Sequence, residues 1–382
     1  MRVIFYELKK IWNIKILLAI AVVCAMFYIV FLGFDIKHYP NGHPHIEDVE
    51  FCTMLTQKYG TTLEQNEFEE FMTIRSGLVV QIDELIANDT YCQTAKIRNF
   101  DDLVLLQNTL DRDWTDEETQ ATDSIYNNPQ NGYVLYKINM LDRIQEFYTS
   151  DITSRTDIVH ARLNEIENSN ESLGIISEQT IFSTKNYIAN FAWLVILATI
   201  ALVSPLLTSD RLRKLQLLQY SSKMGRRIIW KQLTATLLSS FCLTTVLVLV
   251  FGAIYATNGT QIFWNNYISS FNSGFISSIR LTFGQYVMIL VGMVYLLGLA
   301  ISLVAFTLSR FCSNFIALIA GAIPVTVGSI MLCAYLVFET PLSIEGKFGI
   351  ALFEPLICTA FLILAALVAV SVAWREKKIE IA

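Results

Sequence analysis

Six stretches of this chain are long, apolar and almost free of charge. A helix crosses the hydrocarbon core of a bilayer with about 20 apolar residues. The runs lie at 14–34 ("IKILLAIAVVCAMFYIVFLGF"), 187–208 ("YIANFAWLVILATIALVSPLLT"), about 231–256, about 284–309, about 313–338 and about 350–374. Only 16% of the residues are charged, against about 25% in a soluble domain. The expected fold is an all-α membrane protein: six transmembrane helices plus a mainly helical extracellular domain.

Basic residues set the expected orientation, because cytoplasmic loops carry an excess of Lys and Arg. Arg2, Lys9, Lys10 and Lys15 precede or open the first run. Arg211, Arg213, Lys214, Lys223, Arg226, Arg227 and Lys231 crowd between the second and third, with Asp210 the only acid from Thr208 to Gln232. Arg310 lies between the fourth and fifth, and Arg375, Lys377 and Lys378 follow the sixth. Six alternating helices put all four clusters on one side, with both termini cytoplasmic. The uncharged stretch from Ile16 to Phe34 exceeds a signal-peptide core and reads as an uncleaved anchor. The preceding "MRVIFYELKKIWNIK" is amphipathic and suits the interface plane.

Residues 35–186 then lie outside. They hold 27 acidic and 11 basic side chains, while the rest of the chain holds 7 and 17. Apolar residues there recur at helical spacing, as in Phe68, Phe71, Met72, Val79, Ile82, Leu85 and Ile86. The division is 1–34, an interfacial helix and first span; 35–186, the acidic domain; 187–374, spans two to six; and 375–382, a tail. "DRDWTDEET" bunches acids, but lacks the glycine of a calcium loop and fits a capping box of Thr115 with Glu118. "HYPNGHPH" reads as a polar turn, with a metal site at His38, His43 and His45 as the alternative. Cys52 and Cys92 are the domain's two cysteines, and an oxidising exterior permits a disulfide between them.

No phosphate-binding G-x-x-x-x-G-K-[ST] loop and no G-x-S-x-G or H-E-x-x-H motif occurs. Ion-coupled carriers place ionisable groups mid-membrane. Here Glu354 comes nearest, and it is expected at the outer interface, meeting water.

In the basic segment Leu212, Leu215 and Leu218 fall at helical spacing among Arg211, Arg213 and Lys214. Spacing alone leaves two readings open: a helix that docks on a cytoplasmic protein, or one that rests on acidic headgroups. The stretch "LLQYSSKMGRRIIWKQ", the amphipathic N-terminus and six spans with both ends inside resemble the membrane subunit of type-2 ABC exporters, bacterial permeases that pair with a separate ATPase. That family often has glutamate where this chain has Asp210. The resemblance implies a coupling helix over 209–226. Asp210, Arg211, Arg213, Lys214, Leu215, Leu218, Tyr220, Lys223, Gly225 and Arg226 would engage the ATPase, with Leu215 and Leu218 filling its groove and Gly225 turning the chain into span three. It also implies that "FETPLSIEGKFGIALFEPL", bracketed by Pro341 and Pro355 and holding Glu354, forms a re-entrant gate.

The expected function is a permease subunit exporting a peptide, antimicrobial or drug from a bacterial cell. It would not itself be an enzyme and would bind no cofactor, since ATP and Mg sit on the ATPase. The expected partners are that ATPase, a second permease copy or relative approached through Gly292, Gly298, Gly321 and Gly328, and the lipid bilayer, with no nucleic acid. The alternative is a non-transporting transmitter or sensor acting through the outer domain. An intramembrane enzyme is disfavoured by spans without ionisable residues.

Overall fold

The computed structural model describes residues 2–42, 45–109, 112–128, 134–135, 137–139, 141–142, 157–215, 225–270, 273–344 and 350–378. Among them there is no β-strand, and extended pairing is limited to two isolated bridges. Six helices are long and apolar enough to cross a membrane: Ile14–Lys37, Glu178–Leu212, Ile228–Asn258, Phe283–Phe311, Phe315–Phe338 and Phe353–Glu376, here spans one to six. The protein is an all-α, multi-pass membrane protein. Span five starts at Phe315 because Asn314 caps it, its side chain accepting the Ala317 N–H at 2.8 Å.

The described chain divides into two compact units. The first comprises Met1–His38, Ser183–Gly259 and Gln285–Ala382. It contains helix α1 (Arg2–Ile11) and nearly all of the six spans. Span two is its centre. In that span 78% of the apolar window is buried, against 17%, 11% and 22% in spans one, five and six, which turn most of their surface outward. Pro205 interrupts span two after Ser204, since it has no N–H to donate. Ser309 Oγ on span four compensates, accepting the Leu207 and Thr208 N–H groups at 3.1 and 3.2 Å. Gly298 lets three spans approach: a Cβ there would stand 3.0 Å from Thr244 Oγ1 and 3.3 Å from Val195 Cγ1. Gly321 likewise closes on Leu308, while Gly292 and Gly328 have open space around them. Two of the four glycines expected to receive a second copy therefore serve packing within the chain.

The second unit comprises Tyr39–Phe182 and Thr260–Gly284. Its first segment is shorter than the expected 35–186, and residues after span three, which no sequence pattern marks, also belong to it. Among the described residues its helices include α2 (His45–Tyr59), α3 (Gln65–Asn88), α4 (Thr90–Thr94), α5 (Phe100–Gln107), α6 (Asp116–Tyr126) and α7 (Asp157–Glu167). Ile82, Ile86, Cys92, Leu103, Ala121, Ile125 and Ile138 form a common core. Thr115 and Glu118 make the expected capping box at the start of α6. Asn41 and Gly42 are left-handed, as a tight turn at "HYPNGHPH" requires, and His43 lies outside the described residues.

Arg162 on α7 explains why 260–284 belongs here. Buried, it donates to Glu171 Oε2 at 2.6 Å and Oε1 at 3.2 Å, and to the Ser277 carbonyl at 3.0 Å. Asn266 Nδ2 adds a bond to Thr56 Oγ1 at 3.1 Å. The disulfide between Cys52 and Cys92 is not formed: both side chains are buried thiols. Cys92 packs in the α3–α6 core, to which Cys52 on α2 does not belong. The Cys92 thiol points instead at the Ala121 carbonyl, 3.9 Å away.

Candidate functional site

A buried polar constellation of the first unit lies where α1 meets the end of span two and the start of span three. α1 is amphipathic, and its inward side carries Glu7 and Ile11, both buried. Glu7 is only 3% exposed and Asp210, in the last turn of span two, 4%. Lys10 Nζ lies 2.6 Å from Glu7 Oε2 and 2.8 Å from Asp210 Oδ2. Gln232 Nε2, one turn into span three, donates to the same two oxygens at 3.3 and 3.0 Å. Two carboxylates thus share one ammonium and one amide. Burial is the main cause holding the Glu7 carboxyl above its ordinary range; Lys10 opposes that shift and Asp210 adds to it. Beside this quartet, Trp12 Nε1 donates to Ser239 Oγ at 3.1 Å and fixes the turn between α1 and span one against span three.

A second tie adjoins it. Arg211 donates to the carbonyls of Cys312 at 2.8 Å and Arg310 at 2.5 Å, the unsatisfied end of span four. Arg310 in turn grips Glu376 on span six, with Nε to Oε2 at 2.9 Å. One end of the unit therefore joins α1 to spans two, three, four and six by hydrogen bonds.

These contacts correct the sequence reading of the basic segment. Asp210 and Arg211 were expected to face a partner, yet both are engaged inside the chain. One continuous helix from Asp210 onward is also ruled out. The helix ends at Leu212, and Lys214 is left-handed with φ 56°. The Arg213 and Lys214 N–H groups close that end on Ser209 and Arg211 carbonyls at 3.1 and 2.9 Å. Leu212 and Leu215 therefore do not share one helical stripe. Arg213 and Lys214 are exposed, and Leu215 is half-buried. Leu218, Tyr220 and Lys223 lie outside the described residues, as does the side chain of Arg226. Gly225 adopts φ 52° at the head of a short 3₁₀ turn, Gly225–Arg227, that leads into span three.

The other expected cluster differs too. Glu354 does not meet water: it is 2% exposed, and its Oε2 accepts the Leu342 N–H at 3.1 Å. Leu342 is left-handed with φ 65°, so the carboxylate braces the turn that follows Pro341. Pro355 sits in the first turn of span six, where a missing N–H costs nothing. Residues 345–349 between them lie outside the described set. Among the described residues no three His, Cys, Asp or Glu side chains converge as metal ligands.

Glu7, Lys10 and Gln232 were not singled out from the sequence. One signal was available. Glu7 is the only acid before Asp35, and it stands on the inward face of an otherwise basic amphipathic helix. In comparisons with protein-family models, curated proteins and solved structures, nothing matches the chain.

Proposed function

We propose that this chain is the membrane subunit of an ATP-driven exporter of the type-2 ABC kind. It works with a separate ATPase and a second six-span subunit, in a bacterial cell membrane. Both termini and the basic segment face the cytoplasm, the acidic segment 35–186 is extracellular, and the cargo is an amphipathic peptide, antimicrobial or drug.

One observation carries the reading: the basic segment is tied into the bundle at both of its ends. Asp210 and Arg211 open it and Gln232 closes it, all three bonded within the network of α1 and spans two to four. Between them Arg213, Lys214 and Arg227 stand exposed. A force applied to those cations passes through hydrogen bonds into spans two, three, four and six. The "YSSKMGRR" resemblance supports the same reading.

Affinity capture of the full-length chain from native membranes tests it. An ATPase with a phosphate loop is expected to accompany the wild type. It is expected to be lost from Leu215→Asp and from Arg213→Glu with Lys214→Glu. A well-folded wild type that never captures such a protein rejects the proposal.

A further inference from the structure

We propose that the outward face of α1 binds the headgroups of anionic phospholipids. The inference stands on the six membrane spans and is independent of the transport reading. Arg2, Phe5, Tyr6 and Lys9 are all exposed. At 3.6 residues per turn they fall within one arc of the helix, opposite buried Glu7 and Ile11. Phe5 and Tyr6 are 66% and 65% exposed, and their rings meet edge to face at 6.3 Å. Two adjacent aromatic rings so open to water are costly in an aqueous setting. They are at home at the headgroup level, where an amphipathic ring meets lipid on one side and water on the other.

Charge complementarity selects the lipid. Glu7 is the sole acid of the N-terminal segment, and Lys10 and Gln232 hold it inward. The face that remains presents Arg2 and Lys9 around the aromatic pair with no carboxylate among them. Trp12 and Asn13 alone separate α1 from span one, so this face lies at the membrane edge. Span one continues outward-facing, with Ile14, Leu18, Val22 and Met26 exposed at four-residue steps. Cations beside an anionic leaflet each strengthen binding about fivefold, while long side chains reach the phosphates and leave their stems among the acyl chains.

The test uses the full-length protein with Tyr6 replaced by p-benzoylphenylalanine. It is reconstituted in vesicles of phosphatidylcholine and phosphatidylglycerol, then illuminated. Mass spectrometry of the N-terminal peptide gives the ratio of the two lipid adducts. That ratio should exceed the bulk lipid ratio, fall about fivefold for Arg2→Gln and again for Lys9→Gln, and shrink with added salt. Thermal unfolding of these surface variants checks that they fold. An adduct ratio equal to the bulk ratio, the absence of lipid adducts, or adducts in native membranes to another protein in place of lipid each overturns the proposal.

Discussion

Lys10 and Asp210, separated by 200 positions in the chain, meet at 2.8 Å where α1 crosses the end of span two. Lys10 also neutralises Glu7, so its removal takes the shared ammonium away from two buried carboxylates. Breaking a fully buried pair costs about 3–5 kcal/mol. The Lys10 side chain is 32% exposed, so water reduces that figure, and Lys10→Met is expected to destabilise by about 1–3 kcal/mol. Adding Asp210→Asn to the same chain should recover part of the loss. Thermal unfolding in detergent reads both, and an unchanged midpoint for Lys10→Met contradicts the tie.

Acidification is expected to tighten the same junction. The charged groups facing Glu7 are Lys10 on its own helix and Asp210 on span two, and span three contributes neutral Gln232. Burial raises the Glu7 pKa, so the folded state takes up the proton more readily than the unfolded chain does. The resulting stability is fully present below the ordinary glutamate value and is lost as pH rises through the raised one. Glu7→Gln mimics the protonated form. Relative to wild type it should therefore gain stability as pH rises across that window. A difference in unfolding midpoint that does not change with pH would falsify this.

The second unit depends on Arg162 in the same way. Glu171, fully buried, receives two of its hydrogen bonds, and Arg280 stands farther off at 3.7 Å. Arg162→Met removes both hydrogen bonds from that buried carboxylate, leaving only the more distant Arg280, and also frees the Ser277 carbonyl, for an expected loss of about 3–5 kcal/mol. The double variant Arg162→Met with Glu171→Met should lose much less, because the charges that lose a partner, Glu165 and Arg280, are exposed to water. Hydrogen exchange over 157–175 and 266–280 is the measurement. If only the first segment loosens in Arg162→Met, Arg162 does not hold the later loop in place.

How far the sequence reached depended on the range of each interaction. The six spans were legible because lipid demands unbroken apolar length, a property of contiguous residues. The α6 capping box was legible because Thr115 and Glu118 are three residues apart. What stayed hidden was long-range. Glu7, Asp210 and Gln232 meet only after three helices pack, and no local pattern distinguishes a buried Asp210 from one that faces a partner. The Leu212–Leu215–Leu218 spacing suggested a single helix, but Lys214 breaks it with a left-handed backbone that few residues other than glycine and asparagine advertise. Residues 260–284 carry no core-like periodicity of their own, and they join the second unit through Ser277 and Asn266.

Gly298 gives the most direct probe of the membrane-spanning core. Its missing side chain admits Thr244 and Val195, and the Ser240 hydroxyl donates to its carbonyl at 3.0 Å. In lipid, close backbone approach replaces the hydrophobic effect as the source of helix association. Gly298→Ala puts a methyl group 3.0 Å from Thr244 Oγ1 and 3.3 Å from Val195 Cγ1, so both side chains must give by a few tenths of an ångström in a closely packed interior. The expected cost is about 1–3 kcal/mol. Gly292→Ala, with open space at that position, is the control and should change little. In Gly298→Ala, also replacing Thr244 with Ser, which removes only the methyl group, should give partial relief because the hydroxyl can then rotate into the space the methyl vacates. Replacing Thr244 with Ala, which removes the oxygen itself, should restore most of the stability. If Gly298→Ala and Gly292→Ala unfold at the same temperature in detergent, spans two, three and four do not pack around Gly298 as described.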